Sequence, residues 1–550
     1  MKYIILFLLL TNIIIAENSI KGFVLDKANN PLAGVNIRIE TTPYGAVTKK
    51  DGSFVIKNIP EKIKKGNLII SYIGYQTINA EINFNEKTEP YTFNMEIQPL
   101  QTGEVVISAN KRVQAVQDVP ISMSVIDSRG IIDRAINKLD EALSYVPGVE
   151  INQDNISIRG TSGFSFGIGS RVSLLLDGFS MIAGDNSDVK FDALPMFNIE
   201  RIEIVKGAGS ALYGTSALGG VVNLITTQPN ENPEFRIKAY SGIFTKPRFE
   251  QWKYSDDYSF NQGLSGSFSQ KFDALGLTAS ARYINDQSYR KYDDSYRWSI
   301  FTKAGYELSD FSNINIMFNA ASEDRTDWVY WNSLDSATIP PTDTDYGIRL
   351  TSDKFSLSGD YSQILTDNSF MTFRTGIFYT DYKNNYKSDD VAFRQSEAVN
   401  FNSELQFNTR LNSSFMFTYG LNAILINVAS KTYGNQQQKI YAGYFQAEYN
   451  GIESLIITAG SRIDYEDVKE IKSDLEISPK LGLSYHLDKK SVLRLSAGKG
   501  FRAPAVAERY STVSFQGFDV LPNPELKPEY SWSYEAGINY ETNIFSFPLF

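Results

Sequence analysis

From about residue 235 onward the chain is written in segments of roughly ten residues that alternate in polarity at every second position. In one segment Leu275, Leu277, Ala279, Ala281 and Tyr283 share a face opposite Gly276, Thr278, Ser280 and Arg282. In another, Trp532, Tyr534, Ala536, Ile538 and Tyr540 oppose Ser533, Glu535, Gly537 and Asn539. Successive side chains of a strand point to opposite faces, so a sustained period of two commits this half of the chain to β-strands with one apolar and one polar face. Apolar outside and polar inside is the pattern of a membrane barrel with a hydrated interior. The 32 Tyr and 35 Phe fit the aromatic girdles of such a barrel. No apolar run of about 18 residues follows the N-terminus, which argues against spanning helices.

The alternation predicts fourteen strands, beginning near Phe235, Gln262, Ala274, Trp298, Asn313, Lys354, Ser369, Val399, Phe415, Lys439, Ser454, Ser478, Ser491 and Ser531. Short turns (KFDA, SDFS, TDNS, LNSS, NGIE, LDKK) alternate with long loops near 244–260, 322–352, 381–397 and 500–529. Short ends face the periplasm in such barrels, and long ends face outside.

Composition removes several function classes. A net charge of -10 without basic clusters gives no footprint for nucleic acid. With no Cys, and His486 as the single histidine, disulfides, thiolate sites, cysteine nucleophiles and multi-histidine metal sites are excluded. No enzyme, resident cofactor or metal is expected.

Upstream, residues 1–16 place Lys2 before an apolar stretch ending at Ala16, which reads as a secretory signal peptide or as an N-terminal anchor. Residues 17–99 hold short alternating runs separated by turn signals, as a small β-sandwich requires. Residues 198–227 carry two strand-like runs, RIEIVK and VVNLIT, around a segment dense in Gly, Ala and Ser. A compact, tightly turned hairpin follows from that composition.

The order of residues in that hairpin resembles the plug signature of TonB-dependent outer-membrane receptors. Ile199, Arg201, Ile202, Glu203, Gly207, Ser210, Tyr213, Gly214, Ala217, Gly219, Gly220, Val221 and Asn223 fall in register with it. Lys206 stands where that family usually has Arg, and Ala208 where it has Pro. Two further plug segments resemble the family, through Ile156, Ile158, Arg159 and Gly160 and through Val172, Leu175, Asp177 and Gly178. A barrel block does so through Ser478, Pro479, Tyr485, Gly498, Gly500, Phe501, Arg502, Ala503, Pro504, Asn523, Pro524, Leu526, Lys527, Pro528 and Glu529. Gly34, Val35, Asp51, Gly52, Phe54 and the run Tyr72 to Tyr75 resemble a carboxypeptidase-regulatory-like domain.

The resemblance implies a mainly β protein: signal peptide 1–16, sandwich 17–99, linker 100–118 with a TonB box, α+β plug 119–229 and antiparallel transmembrane β-barrel 233–550. Barrels that hold a folded plug have about 22 strands, so about eight are expected to be missing and the chain to be truncated at its C-terminus. The implied partners are TonB with its inner-membrane energising complex, outer-membrane lipid, and a small-molecule ligand such as an iron chelate (ferric siderophore) or cobalamin. The sandwich and TonB box would be periplasmic and the long loops extracellular. Saccharide or peptide uptake, and an adhesive or peptidase-linked surface role for the sandwich, are the alternatives.

Four groups of residues are candidates for function. Glu104, Val105, Val106, Ile107, Ser108 and Ala109 form an extended run that reads as the TonB box, able to add a strand to a partner's sheet, or as an ordinary strand of sandwich or plug. Arg159, Asp177, Arg201, Glu203 and Lys206 would latch plug to barrel, or pair within the plug. Trp328, Tyr330 and Trp331 could stack on a ligand or sit in a girdle. The run DNSDVKFD at 185–192 offers Asp185, Asp188 and Asp192, which read as a solvated loop far more than as a calcium site. His486, beside a short turn, reads as an interfacial polar residue.

Overall fold

The alternating N-terminal runs fold into two sheets. The strands are β1 (Asn18–Asp26), β2 (Asn36–Ile39), β3 (Gly45–Val47), β4 (Ser53–Ile59), β5 (Lys65–Ser71), β6 (Ile78–Asn83) and β7 (Tyr91–Met95). One sheet has the order β4-β1-β7 and the other β3-β2-β5-β6. The alternate positions Val35, Ile37 and Ile39 are buried with Val24, Phe54, Ile56, Leu68, Ile70 and Met95 in one apolar core. Each such side chain, fully buried, contributes about 1.5–3 kcal/mol. This unit spans residues 1–104, and residues 105–550 form a second. This computed structural model describes residues 18–550 except 28, 33, 40–41, 43, 60–64, 73–77, 84–89, 96–104, 135, 137, 153–154, 162–167, 327–330, 342–347, 367, 386–393, 469–470, 472–474, 489, 516–517, 541, 545–546 and 550. The leader-like residues 1–16, Glu104, Trp328 and Tyr330 lie outside the described residues.

The second unit opens with a short hairpin, β8 (Val105–Val106) and β9 (Gln114–Ala115). Then come β10 (Met123–Asp127), α1 (Ser128–Asp133), α2 (Leu139–Leu143), β11 (Val149–Asn152), β12 (Asn155–Ile158), β13 (Val172–Leu176), β14 (Phe179–Ser180), β15 (Ile199–Lys206), α3 (Ser210–Tyr213) and β16 (Gly220–Thr226). The Asp127 side chain caps α1 by accepting from Gly130 N at 2.8 Å. The sheet order is β10-β15-β16-β13-β14. Every residue of β13 and of β16 is buried, because helices and surrounding strands cover both faces of this small sheet.

β15 and β16 are antiparallel neighbours, with Lys206 opposite Gly220. The glycine-rich hairpin of 198–227 is therefore real, with α3 in its loop. Gly220 has φ +155°, and a Cβ there would lie 2.4 Å from the Val205 carbonyl oxygen. Gly214 has φ +71°, and its Cβ would lie 2.7 Å from the Arg462 guanidinium. The first glycine permits the sheet to close and the second lets a wall arginine reach the plug.

Around this domain runs a sheet of fourteen antiparallel strands joined in sequence order. They are β17 (Glu234–Phe244), β18 (Ser259–Phe272), β19 (Leu275–Asp286), β20 (Ser295–Ser309), β21 (Ser312–Thr326), β22 (Arg349–Thr366), β23 (Ser369–Asn384), β24 (Gln395–Arg410), β25 (Phe415–Ser430), β26 (Gly434–Ile452), β27 (Leu455–Val468), β28 (Leu475–His486), β29 (Ser491–Arg502) and, after α4 (Val506–Tyr510) and the hairpin β30 (Val513–Phe515) and β31 (Phe518–Val520), β32 (Glu529–Tyr540). All fourteen expected strands are present. The first and last, β17 and β32, are the two ends of the sheet and do not pair with each other among the described residues.

The two faces divide as the period of two requires. Tyr283, Trp298, Leu357, Leu481, Trp532 and Tyr534 are exposed on the outer face, while Thr278, Lys303, Gln406, Thr458 and Arg462 are buried against the plug. The wall meets the plug in two ways: Phe301, Met317, Ala321 and Phe378 pack into the plug's apolar core, and polar wall side chains meet the plug through hydrogen bonds and ion pairs.

Candidate functional site

The site is built on Glu203, in the middle of β15, whose side chain is fully buried. An isolated buried carboxylate is costly, and this one is satisfied four times. Its Oε1 accepts from Arg201 Nε at 2.8 Å. Its Oε2 accepts from Ile107 N at 3.0 Å, Ser108 N at 2.8 Å and Ser108 Oγ at 2.7 Å. One plug carboxylate thus holds the run 105–109 through its backbone.

Other groups close on the same run. The Tyr213 hydroxyl donates to Ser108 O at 2.9 Å, and Asn223 Nδ2 donates to Ser108 Oγ at 2.9 Å. From the wall, Lys480 Nζ donates to Ala109 O at 3.0 Å and Asn110 Oδ1 at 2.9 Å. Val106 and Ala109 pack with Val119, Ile121, Leu175, Val205, Ala217 and Val221 in an apolar cluster. The run is neither a strand of the sandwich nor a solvated tail; it is a docked segment with two residues of ladder, β8 on β9.

Immediately beyond, Lys111 forms an ion pair with the wall residue Glu404 and Arg112 one with Glu448. Burial pushes the Lys111 ammonium down to about 8, with Glu404 opposing. A lysine whose folded value lies below its unfolded value costs stability while both forms are protonated, and that cost is relieved as pH rises from about 8 to the unfolded value. The stability of the wild type relative to Lys111→Met is therefore expected to increase with pH across that window, measured by urea unfolding at a series of pH values. A flat difference would contradict the buried ammonium. Nearby, Asp118 lies 3.2 Å from His486 Nε2, and burial raises its carboxyl while His486 opposes.

Two of the five charged plug residues meet the wall. Arg159 pairs with Glu535 at 3.1 Å, and Asp177 with Lys303 at 2.8 Å. Both sit at left-handed backbone positions, with φ +54° and +49°. Asp177 and Gly178 form the two-residue turn between β13 and β14, with φ positive at both, the type I′ geometry that such sequences favour. The other three face plug groups: Arg201 pairs with Glu200 at 3.0 Å and with Glu203, and Lys206 Nζ donates to Pro147 O at 2.8 Å.

Several wall contacts lay beyond the sequence reading. Arg171 binds Glu529 through two bonds of 2.8 and 2.7 Å, and Arg502 binds both Glu529 and Glu508. Arg509 pairs with Glu466, and Arg462 with Asp464. Arg502 and Glu529 both belong to the family-like barrel block, but nothing in their spacing announces that Glu529 is shared between Arg502 and the plug residue Arg171. Trp331 is exposed. Asp185 accepts from Ser396 Oγ at 2.6 Å, and Asp188 pairs with Lys190 at 3.1 Å. Among the described residues no group of three or more His, Cys, Asp or Glu side chains is placed to hold a metal.

Comparison with known proteins matches the family described as TonB dependent receptor-like, beta-barrel, to residues 210–549. The TonB-dependent Receptor Plug Domain matches residues 115–221, and the CarboxypepD_reg-like domain residues 20–107. The iron-regulated outer membrane virulence protein of Vibrio cholerae is 26% identical over 80% of this chain and 66% of its own length. The vitamin B12 transporter BtuB of Vibrio vulnificus is 25% identical, over 82% of this chain and 70% of its own. The crystal structure of the siderophore receptor PirA of Pseudomonas aeruginosa shares the fold, with a TM-score of 0.62 and 18% identity over 76% of this chain and 72% of that one. The chain spans about two thirds, 66%, of the length of the Vibrio cholerae relative.

Proposed function

Because the chain belongs to the TonB-dependent receptor family, we propose that it is an uptake receptor of the cell outer membrane that admits a scarce nutrient, an iron chelate or cobalamin, when TonB pulls on residues 105–109. It lies in the outer membrane as an antiparallel β sheet with an apolar outer face. The sandwich and the docked run face the periplasm, and the long connections face outside.

The observation that carries this reading is the docked run itself. Its backbone is held by Glu203, Tyr213 and Lys480, through side-chain bonds rather than a complete strand ladder. Such bonds can be exchanged for the edge of a partner's sheet, because an extended segment offers its amides and carbonyls to any strand of matching register. The Glu203 grip lies on β15, so tension applied at 105–109 is delivered to the central sheet of the plug. The relatives support the cargo class: one is named as iron-regulated and one as a vitamin B12 transporter.

Deletion of residues 105–109 is expected to abolish energised uptake while leaving ligand binding at the outer face intact. The measurement is accumulation of radiolabelled ferric chelate or cobalamin in cells carrying the wild-type or deleted receptor. Active uptake that continues without these residues overturns the mechanism.

A further inference from the structure

The wall ladder is interrupted beside Pro479. β28 pairs with β29 from His486 opposite Val492 to Lys480 opposite Gly498, and no pair between them follows among the described residues. Next in that register stand Pro479 and Lys499, and a proline has no N–H to donate, so the ladder stops there. On its other side β29 keeps its ladder with β32 to the end, through Arg502 opposite Glu529. The outer end of β29 is thus a strand with one neighbour, where the rest of β29 has two.

Its backbone turns to the plug instead. Phe501 N donates to Ser210 Oγ at 3.0 Å, and Ser210 Oγ donates to Phe501 O at 3.3 Å. Ala503 N donates to Thr215 Oγ1 at 2.9 Å. Phe501 and Ala503 are both buried, so these plug hydroxyls stand in for the missing ladder partners. Gly500 makes the approach possible, since a Cβ there would lie 2.8 Å from Leu218 O in the plug. Ser210 and Thr215 flank Tyr213, whose hydroxyl holds Ser108 in the docked run. The parted strands stay close, for Lys499 Nζ lies 3.5 Å from Glu476 Oε2 across the gap.

We propose that residues 499–503 have two positions: docked on the plug, as here, or zipped onto β28 with Phe501 opposite Ile477 and Ala503 opposite Leu475. A plug that moves withdraws the hydroxyls of Ser210 and Thr215, and the backbone groups they satisfied are then orphaned at a cost. The unladdered edge of β28 offers replacements in the register that already runs through Lys480 and Gly498. Pro479 keeps the two positions near in energy, because zipping past it forms one bond fewer than an unbroken ladder would. An element with two discrete arrangements of similar energy is what a switch requires. The wall exchanges one partner for another, and the departing plug closes a seam that it had held open. This device rests on the uptake reading above, since it is the moving plug that exchanges the positions.

The chain has no Cys, so an introduced pair reports the zipped position without competing thiols. Leu475→Cys with Ala503→Cys places the thiols on opposed residues of the zipped ladder, within the Cα separation of about 4.4–6.8 Å that a disulfide needs. In the full receptor in detergent, oxidised with copper phenanthroline, the bond is expected to form slowly, and about tenfold faster once Ser210→Ala and Thr215→Val remove the plug hydroxyls. Thr215→Ser, which keeps its hydroxyl, should retain the slow rate and separates lost anchoring from lost fold. Absence of the bond in every variant, or equal rates with and without the hydroxyls, overturns the two positions. In cells supplied with ferric citrate and cyanocobalamin, the bond should form faster than after an uncoupler, and deletion of 105–109 should abolish that difference. Rates in cells indifferent to 105–109, beside hydroxyl-dependent rates in detergent, overturn the exchange during uptake and keep the two positions. Rates indifferent to the hydroxyls, beside uptake that needs 105–109, overturn the two positions and keep the uptake reading.

Discussion

Glu203→Ala releases the docked run: trypsin then cuts after Lys111 or Arg112 in the ligand-free receptor, where the wild type resists. The expectation follows from what the carboxylate holds. It accepts two backbone amides and one hydroxyl from residues 107 and 108, and it neutralises Arg201. Removing one partner of a buried charged network costs about 3–5 kcal/mol. Part of that falls on Arg201, which is partly exposed and can turn to Glu200 or to water. The rest falls on the docked state, whose amides lose their acceptor while the released run finds water. A population of released segment about a hundredfold greater is the expected result. Glu203→Gln retains a carbonyl acceptor of the same shape, so its cleavage rate should fall between the two. Equal tryptic rates in all three proteins would mean that Tyr213, Lys480 and the apolar cluster hold the run without Glu203.

The second large effect is expected at the Asp177 contact. Lys303 projects from β20 into the interior and is 8% exposed. Its Nζ lies 2.8 Å from Asp177 Oδ2 and 2.8 Å from Thr226 Oγ1. Asp177 also accepts from Thr226 N at 2.9 Å and from Thr226 Oγ1 at 2.6 Å, so it ties its own turn to the end of β16. Asp177→Ala leaves a buried ammonium without its counter-charge and should destabilise the plug by about 3–5 kcal/mol, read as a lower urea midpoint. Lys303→Met costs less, because the carboxylate retains two donors from Thr226. The double variant should be more stable than the sum of the single losses predicts, giving a coupling energy in the range of about 0.5–3 kcal/mol. Strict additivity would show that the pair does not hold plug to wall.

The contrast between these two sites explains what could be read in advance. Alternation located all fourteen wall strands and their faces, because a strand's period is a local property of consecutive residues. The hairpin around residues 198–227 was legible for a similar reason, since its glycines occupy backbone positions that other residues enter only with strain. The run 105–109 was legible as an extended segment but not as a docked one. Its gripping residues are Glu203, Tyr213 and Asn223 in the plug and Lys480 in the wall, all distant along the chain. The five plug charges divide for the same reason: Arg159 and Asp177, on left-handed turns at the plug surface, reach the wall, whereas Arg201, Glu203 and Lys206, on β15, meet plug partners.

The sequence by itself determined element type, facing and the class of fold, because strand period, turn glycines and the absence of Cys act over a few residues or over the whole composition. Only the tertiary structure decided which charges answer one another. A buried charge is stable only beside its complement, and which complement comes within 3 Å is settled by how the plug sits within the wall strands.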